Sequence, residues 1–123
     1  MFKGLRSHLI AAPELARAKD WYARVLGGAP YFDEPFYVGF AVGGFELGLV
    51  PDARPAAGPG GGVAYWGVDD VKAVHARLLE LGATSLEAPT EVGGGILIAS
   101  VVDPFGNTLG LIFNPHFDPA AVR

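Results

Sequence analysis

With 123 residues, half of them hydrophobic, the chain has the length of one compact domain and the material for a real core, which excludes a wholly disordered polymer. Thirteen acidic residues against nine basic give a formal net charge of −4, and this supplies no electrostatic footprint for nucleic acid or anionic lipid. Cysteine is absent, so disulfides, thiolate metal sites and a cysteine nucleophile are excluded, and a reducing compartment fits.

The first segment, "GLRSHLIAA", reads as a strand. It has no secretory apolar core, because Arg6, Ser7 and His8 interrupt it, and no later run approaches the roughly 18 apolar residues of a membrane span. The expectation is a soluble, cytoplasmic protein that engages neither membrane nor nucleic acid. In "PELARAKDWYARVLGG", Leu15, Ala18, Tyr22, Val25 and Leu26 recur at helical spacing, with Pro13 suited to the first turn and Gly27-Gly28 to the stop. A weak strand near Tyr31 follows. "PFYVGFAV" and "FELGLV" are then strands joined by Gly43-Gly44, a two-residue hairpin signal.

"PDARPAAGPGGG", Pro51 to Gly62, holds no regular element and reads as a linker. It lacks the Lys-Ser/Thr of a phosphate-binding loop and leads into a strand instead of a helix, so a phosphate cradle is not expected there. The second half repeats the order of the first: strand "GVAYWGV", helix "VDDVKAVHARLLELGA" with Asp69 as N-cap, a weak strand near Ala83–Glu87, and strands "GILIASVVD" and "NTLGLIF" around the turn "DPFGN". "VGGGI" at Val92–Ile96 reads as a turn into a strand. "ARVLGGA" from Ala23 and "ARLLELGA" from Ala76 are counterparts, which points to an internal duplication. The expected fold class is α+β: a single domain of tandem βαβββ modules, about 1–50 and 62–114, with a linker at about 51–61 and a tail at 115–123.

The duplicated order, with "AKDWYARVLGG" in the first helix and "DPFGNTLGLI" in the last hairpin, resembles the vicinal oxygen chelate superfamily. That superfamily includes glyoxalase I, extradiol dioxygenases, fosfomycin-resistance enzymes and bleomycin-resistance proteins, and the resemblance covers nearly the whole chain. It implies curved mixed sheets around a cup-shaped cavity. In catalytic relatives a divalent metal sits in that cup, held from the first and last strands of each module. Those positions fall on Ser7, Glu46, Val63 and Gly110. Only Glu46 is a good ligand, whereas a stable zinc or iron site generally takes three protein ligands. No metal and no other cofactor is therefore expected. His8 is one residue from the ligand position, and pleating sends it to the opposite face with Ile10.

The same alternation aims Glu46, Gly48 and Val50 into the cup, and Phe45, Leu47 and Leu49 under a helix. Gly48 and Gly110 leave room for a ligand or for close backbone approach. A carboxylate in an apolar concavity is costly unless paired or solvated. Either its pKa rises and it acts as a catalytic acid or base, or it is solvated or paired with an arginine. Ser7, Leu9, Glu46, Gly48, Tyr65, Gly110 and Asn114 are the expected ligand-binding residues. At least half of the aromatics Tyr31, Phe32, Phe36, Tyr37 and Phe40 are expected in the core, with Trp66 facing a helix, Asp33-Glu34 in a solvated turn and His75 a boundary residue on the second helix rather than a ligand. Ser7, His116 and Asp118 make a paper triad without the nucleophile elbow that would support it.

The resulting expectation is a metal-free small-molecule-binding protein similar in mode to the bleomycin-resistance proteins, acting as a homodimer. The alternatives are an enzyme of the same scaffold (lyase, isomerase or dioxygenase) that uses Glu46 as acid/base or metal ligand, and an interaction module with a filled cup.

Overall fold

The computed structural model describes residues 5–53 and 63–117. The chain divides into two compact units, Met1–Pro55 and Ala56–Arg123. In the first, β1 (Ser7–Ala11) leads through α1 (Leu15–Leu26) to β2 (Phe32–Glu34), β3 (Tyr37–Val42) and β4 (Phe45–Val50). The sheet order is β1-β4-β3-β2, with β1 parallel to β4 and the other pairs antiparallel. The second unit repeats this with β5 (Tyr65–Gly67), α2 (Val71–Glu80), β6 (Thr84–Glu91), β7 (Leu97–Val102) and β8 (Thr108–Phe113), in the order β5-β8-β7-β6 and with β5 parallel to β8. The expected α+β fold of tandem βαβββ modules is the one observed, as two four-stranded mixed sheets with a helix each.

Local chemistry explains the elements. Gly43 and Gly44 both take positive φ, 57° and 87°, as a type I′ hairpin turn requires, and Val42 pairs with Phe45 across them. Gly27 caps α1 in the left-handed region, its N–H donating to the Ala23 carbonyl at 2.9 Å. At α2 the N-cap is Asp70 instead of the expected Asp69: its carboxylate accepts from the Ala73 N–H at 3.0 Å, while Asp69 lies one residue too early. Asp103 organises the turn between β7 and β8. It is buried, and its Oδ1 accepts from the N–H groups of Phe105 and Asn107, both at 2.9 Å.

Each sheet buries one face against its helix. In the first unit Leu47 and Leu49 alternate inward from β4, beside Val38 and Phe40 of β3 and against Ala18, Trp21 and Tyr22 of α1. Burying a leucine contributes about 2 kcal/mol of transfer free energy. In the second unit Ala99, Val101, Leu109 and Leu111 meet Val71, His75 and Leu78 of α2. The His75 ring is buried and its Nε2 lies 2.9 Å from the Ser85 hydroxyl of β6, so it belongs to the packing of the helix.

Several expectations are corrected. Of the aromatics in "YFDEPFYVGF", only Phe40 is buried; Tyr31 and Phe36 are exposed, because β2 is a three-residue edge strand with little to cover it. Asp33 lies in β2 instead of a turn and pairs with Lys19 of α1 at 3.1 Å. Phe45 is exposed despite its inward parity, since it starts β4 beside the hairpin turn. Trp66 is half-buried. β6 runs on to Glu91, past the expected end at Glu87. It is an edge strand, and its register shifts around Glu87 accommodate Pro89. β7 starts at Leu97 because Gly93, Gly94 and Gly95 all have positive φ and form the turn before it. The stretch "GPGGG" and residue Asp118 lie outside the described residues.

Candidate functional site

The parallel register of β1 and β4 sets Ser7 opposite Glu46 and Leu9 opposite Gly48. His8 is opposite Leu47, on the face that packs beneath α1, where burial pushes its imidazole pKa down. From the other side, β3 sets Ala41 opposite Glu46 and Gly39 opposite Gly48. Two glycines thus lie side by side next to the carboxylate.

Side chains from neighbouring strands fill the space these glycines leave. A Cβ on Gly48 would overlap the Tyr37 ring and its hydroxyl. A Cβ on Gly39 would stand 2.9 Å from Glu46 Oε2 and 3.2 Å from the Tyr31 ring. The glycine pair is therefore a floor on which Tyr37 and Glu46 lie. Gly48 was expected to leave room for a ligand or for close backbone approach, and the Tyr37 side chain occupies that room. Tyr31 is held beside Gly39 by its own N–H, which donates to the Gly39 carbonyl at 3.0 Å.

Both tyrosines converge on Glu46. The Tyr37 hydroxyl donates to Oε1 at 2.6 Å, and the Tyr31 hydroxyl donates to Oε2. These bonds, first from Tyr31 and then from Tyr37, hold the Glu46 carboxyl below its usual value by favouring the charged form. The sequence left two alternatives open, a carboxyl raised by burial or one solvated or paired with an arginine; the described residues show phenolic donors instead, which the sequence did not reveal. The effect is reciprocal: the bond to Glu46 raises the Tyr31 phenol, while burial and then that bond push Tyr37 up to about 12.

Sequence reasoning picked out Glu46, Gly48, Ser7 and Leu9, which the register does bring together, and missed the roles of Tyr31, Tyr37 and Gly39. The signal was available in part. Counting back from the Gly43-Gly44 turn puts Ala41, Gly39 and Tyr37 on the Glu46 face.

In the second unit the corresponding pair is Tyr65 and Gly110. A Cβ on Gly110 would stand 2.8 Å from the Ala64 carbonyl oxygen, 2.8 Å from the Tyr65 ring and 3.0 Å from the Val63 side chain. Gly110 is thus required by the close approach of the chain entering β5, which is the second of the two roles expected for it. Tyr65 and Asn114 do meet, at a cavity of about 330 Å³ that Asp69, Ile112 and Phe117 also line. Asn114 Oδ1 accepts from the His116 N–H at 2.9 Å. The His116 ring is turned to Gly94, its Nε2 lying 2.7 Å from that carbonyl oxygen. Since a carbonyl only accepts, Nε2 carries the proton and cannot serve as the base of a triad through that atom.

The metal-ligand positions implied by resemblance carry a poor donor set. Ser7 and Glu46 supply a hydroxyl and a carboxylate already engaged by two phenols, and Val63 and Gly110 have no side-chain donor. Among the described residues no group of three or more His, Cys, Asp or Glu stands close enough together to hold a metal ion. These residues do not fit a zinc or iron centre of the usual kind.

The sequence profile of the Glyoxalase/Bleomycin resistance protein/Dioxygenase superfamily matches residues 5–111. The chain belongs to this superfamily. Among solved structures it is similar to a glyoxalase-related enzyme from Fulvimarina pelagi, with 20% identity and a TM-score of 0.78 over 98% of this chain and 95% of that one. It is similar also to lactoylglutathione lyase from Agrobacterium tumefaciens, with 21% identity and a TM-score of 0.75 over 96% and 100% of the two chains. A superfamily member from Sphaerobacter thermophilus DSM 20745 has 20% identity and a TM-score of 0.73 over 93% and 99%. At such identities the likeness speaks for the fold alone. No protein of curated function matches the chain. Among the described residues no helix is long and apolar enough to cross a membrane.

Proposed function

We propose that this superfamily member binds a small organic molecule without a metal ion, and that the first unit offers the site on the sheet face around Glu46. The observation that carries this is the state of Glu46: each carboxylate oxygen already accepts a phenolic hydroxyl, while the other positions where relatives place ligands hold Ser, Val and Gly. A carboxylate oriented by two hydroxyls, with exposed Leu9, Tyr31 and Phe36 in the same unit, has the makings of a recognition site: apolar surface with a few fixed polar groups. The cavity beside Tyr65 and Asn114 gives the second unit a similar mixture. The test is elemental analysis of protein purified without chelator, combined with thermal-shift screening of small molecules with and without EDTA. Binding that EDTA leaves intact, in protein free of metal, is the expected result. Stoichiometric zinc, nickel, manganese or iron overturns it.

A second reading is favoured by a specific observation. The space over Gly48 is filled by Tyr37, and that over Gly110 by Ala64, Tyr65 and Val63, which suits sheet faces already covered by their own unit and a role in interaction with a protein. Exposed Phe32, Phe36 and Phe45 would then serve contact with a second copy of the chain, and a homodimer is the working unit under either reading. Sedimentation velocity tests the dimer. A screen without any binder would favour the second reading.

A further inference from the structure

Among the described residues, Glu46 takes part in neither of the ion pairs that the structure shows in its unit, Arg17–Glu14 and Lys19–Asp33. Its two hydrogen bonds come from neutral phenols, which orient the carboxylate without neutralising it. An ionised carboxylate that is only partly exposed and lacks a cation is normally an expense. Here the two donors keep it ionised, and its pKa lies below the ordinary value.

The surroundings have a consistent character. Tyr31 and Tyr37 flank the carboxylate, and Tyr37 continues into an aromatic group with Phe32, 6.0 Å between ring centroids, and Phe32 with Phe36, also 6.0 Å. Tyr31, Phe32 and Phe36 are exposed, so these rings are accessible. Aromatic faces attract cations through their quadrupole, and attract an alkylated ammonium more than a well-hydrated one because less water must be stripped. Each Glu46 oxygen uses one acceptor site on a tyrosine and retains capacity for a further donor.

Building on the small-molecule reading above, we infer that the Glu46–Tyr31–Tyr37 cluster recognises an organic cation, an alkylated amine or ammonium group attached to an apolar or aromatic body. The cationic centre lies against the carboxylate and the tyrosine rings, and the apolar body lies on the exposed phenylalanines Phe32 and Phe36. An anionic ligand is disfavoured by direct repulsion from Glu46. A neutral ligand gains from the rings only.

The test uses the full chain and three soluble probes that share a benzyl group and differ in charge: benzyltrimethylammonium, benzyl alcohol and phenylacetate. Binding is followed by amide chemical-shift perturbation. The expected result is shifts at Tyr31, Gly39 and Glu46 with the ammonium probe. Glu46→Gln keeps an acceptor for the tyrosines and should weaken the ammonium probe about tenfold, while Tyr31→Leu should weaken it a few-fold by removing a ring, in line with about 1 kcal/mol for an exposed cation–π contact. Thermal melts of both variants establish that they are folded. If the alcohol or phenylacetate shifts the same amides as strongly and Glu46→Gln changes nothing, the cation inference is overturned while the small-molecule site stands. If none of the probes moves an amide of this cluster at millimolar concentration, the cation inference is overturned, while the small-molecule reading is decided by the thermal-shift screen.

Discussion

The aromatic ring of Tyr37 lies directly over Gly48, so that the hydroxyl reaches Glu46 across a residue with no side chain. Gly48 does not have a positive φ, so an alanine there meets no backbone strain, only the ring. A phenol ring is rigid and must move as a body. Gly48→Ala should therefore cost about 1–3 kcal/mol, as overpacking of a filled site does. In a Tyr37→Ala background the same substitution should be nearly neutral. Urea denaturation of the four proteins of this cycle measures the coupling.

The tyrosine–glutamate cluster also predicts a pH dependence. Tyr37 has its folded pKa raised to about 12, from an ordinary 10.0. Its contribution to stability is complete below the unfolded value and is lost as pH rises from about 10 through about 12. Glu46 is shifted the other way: its folded pKa is depressed, so its contribution is present above the unfolded value of 4.5 and is lost as pH falls through the folded value. Phenolate absorbance should contain a component near pH 12 that disappears in Tyr37→Phe. In Glu46→Gln it should move only part of the way down, because burial is the larger cause. A full return to ordinary titration in that variant would mean that the glutamate alone sets the shift.

Much of this was legible in the sequence because period and punctuation agree. Apolar alternation in "FELGLV" placed Leu47 and Leu49 inward, Gly43-Gly44 fixed the hairpin, and the repeat of one element order in both halves gave the topology. The pairing of Ser7 with Glu46 agrees with the positions that the resemblance implied, which alternation alone does not fix. What was not legible depends on a third strand. Whether Glu46 meets water, arginine or tyrosine is decided by which side chains β3 and the segment before β2 bring over a pair of glycines. Alternation gives a residue's face but not its reach along the strand. The exposed aromatics misled for a related reason: hydrophobicity predicts burial only where another element covers the strand, and β2 is an edge. The shift of the N-cap from Asp69 to Asp70 is a choice between adjacent aspartates that composition cannot make.

The turn between β7 and β8 offers a sharp stability test. Buried Asp103 satisfies two backbone N–H groups with one carboxylate oxygen. Asp103→Ala leaves those donors without that partner and should cost about 2–4 kcal/mol, since a buried unsatisfied donor costs about 1–3 kcal/mol. Asp103→Asn retains an acceptor oxygen in the same place and should recover at least half of the loss. Chemical denaturation of both variants checks this, and equal losses would show that the negative charge matters more than the acceptor geometry.

In the second unit, the contact between His75 and Ser85 joins α2 to the edge strand β6. Ser85→Ala removes the hydroxyl and leaves a polar ring in a buried place, with an expected loss of about 1–2 kcal/mol. His75→Leu with Ser85→Ala removes both polar partners and keeps most of the volume, so the double variant should be more stable than Ser85→Ala alone, since no buried polar ring is then left without its partner. Amide exchange along Thr84–Glu91 reads the same contact locally. If the hydroxyl bond anchors the strand, Ser85→Ala should speed exchange at its start and leave β7 protected; unchanged exchange there would assign the anchoring to the apolar packing of α2 alone.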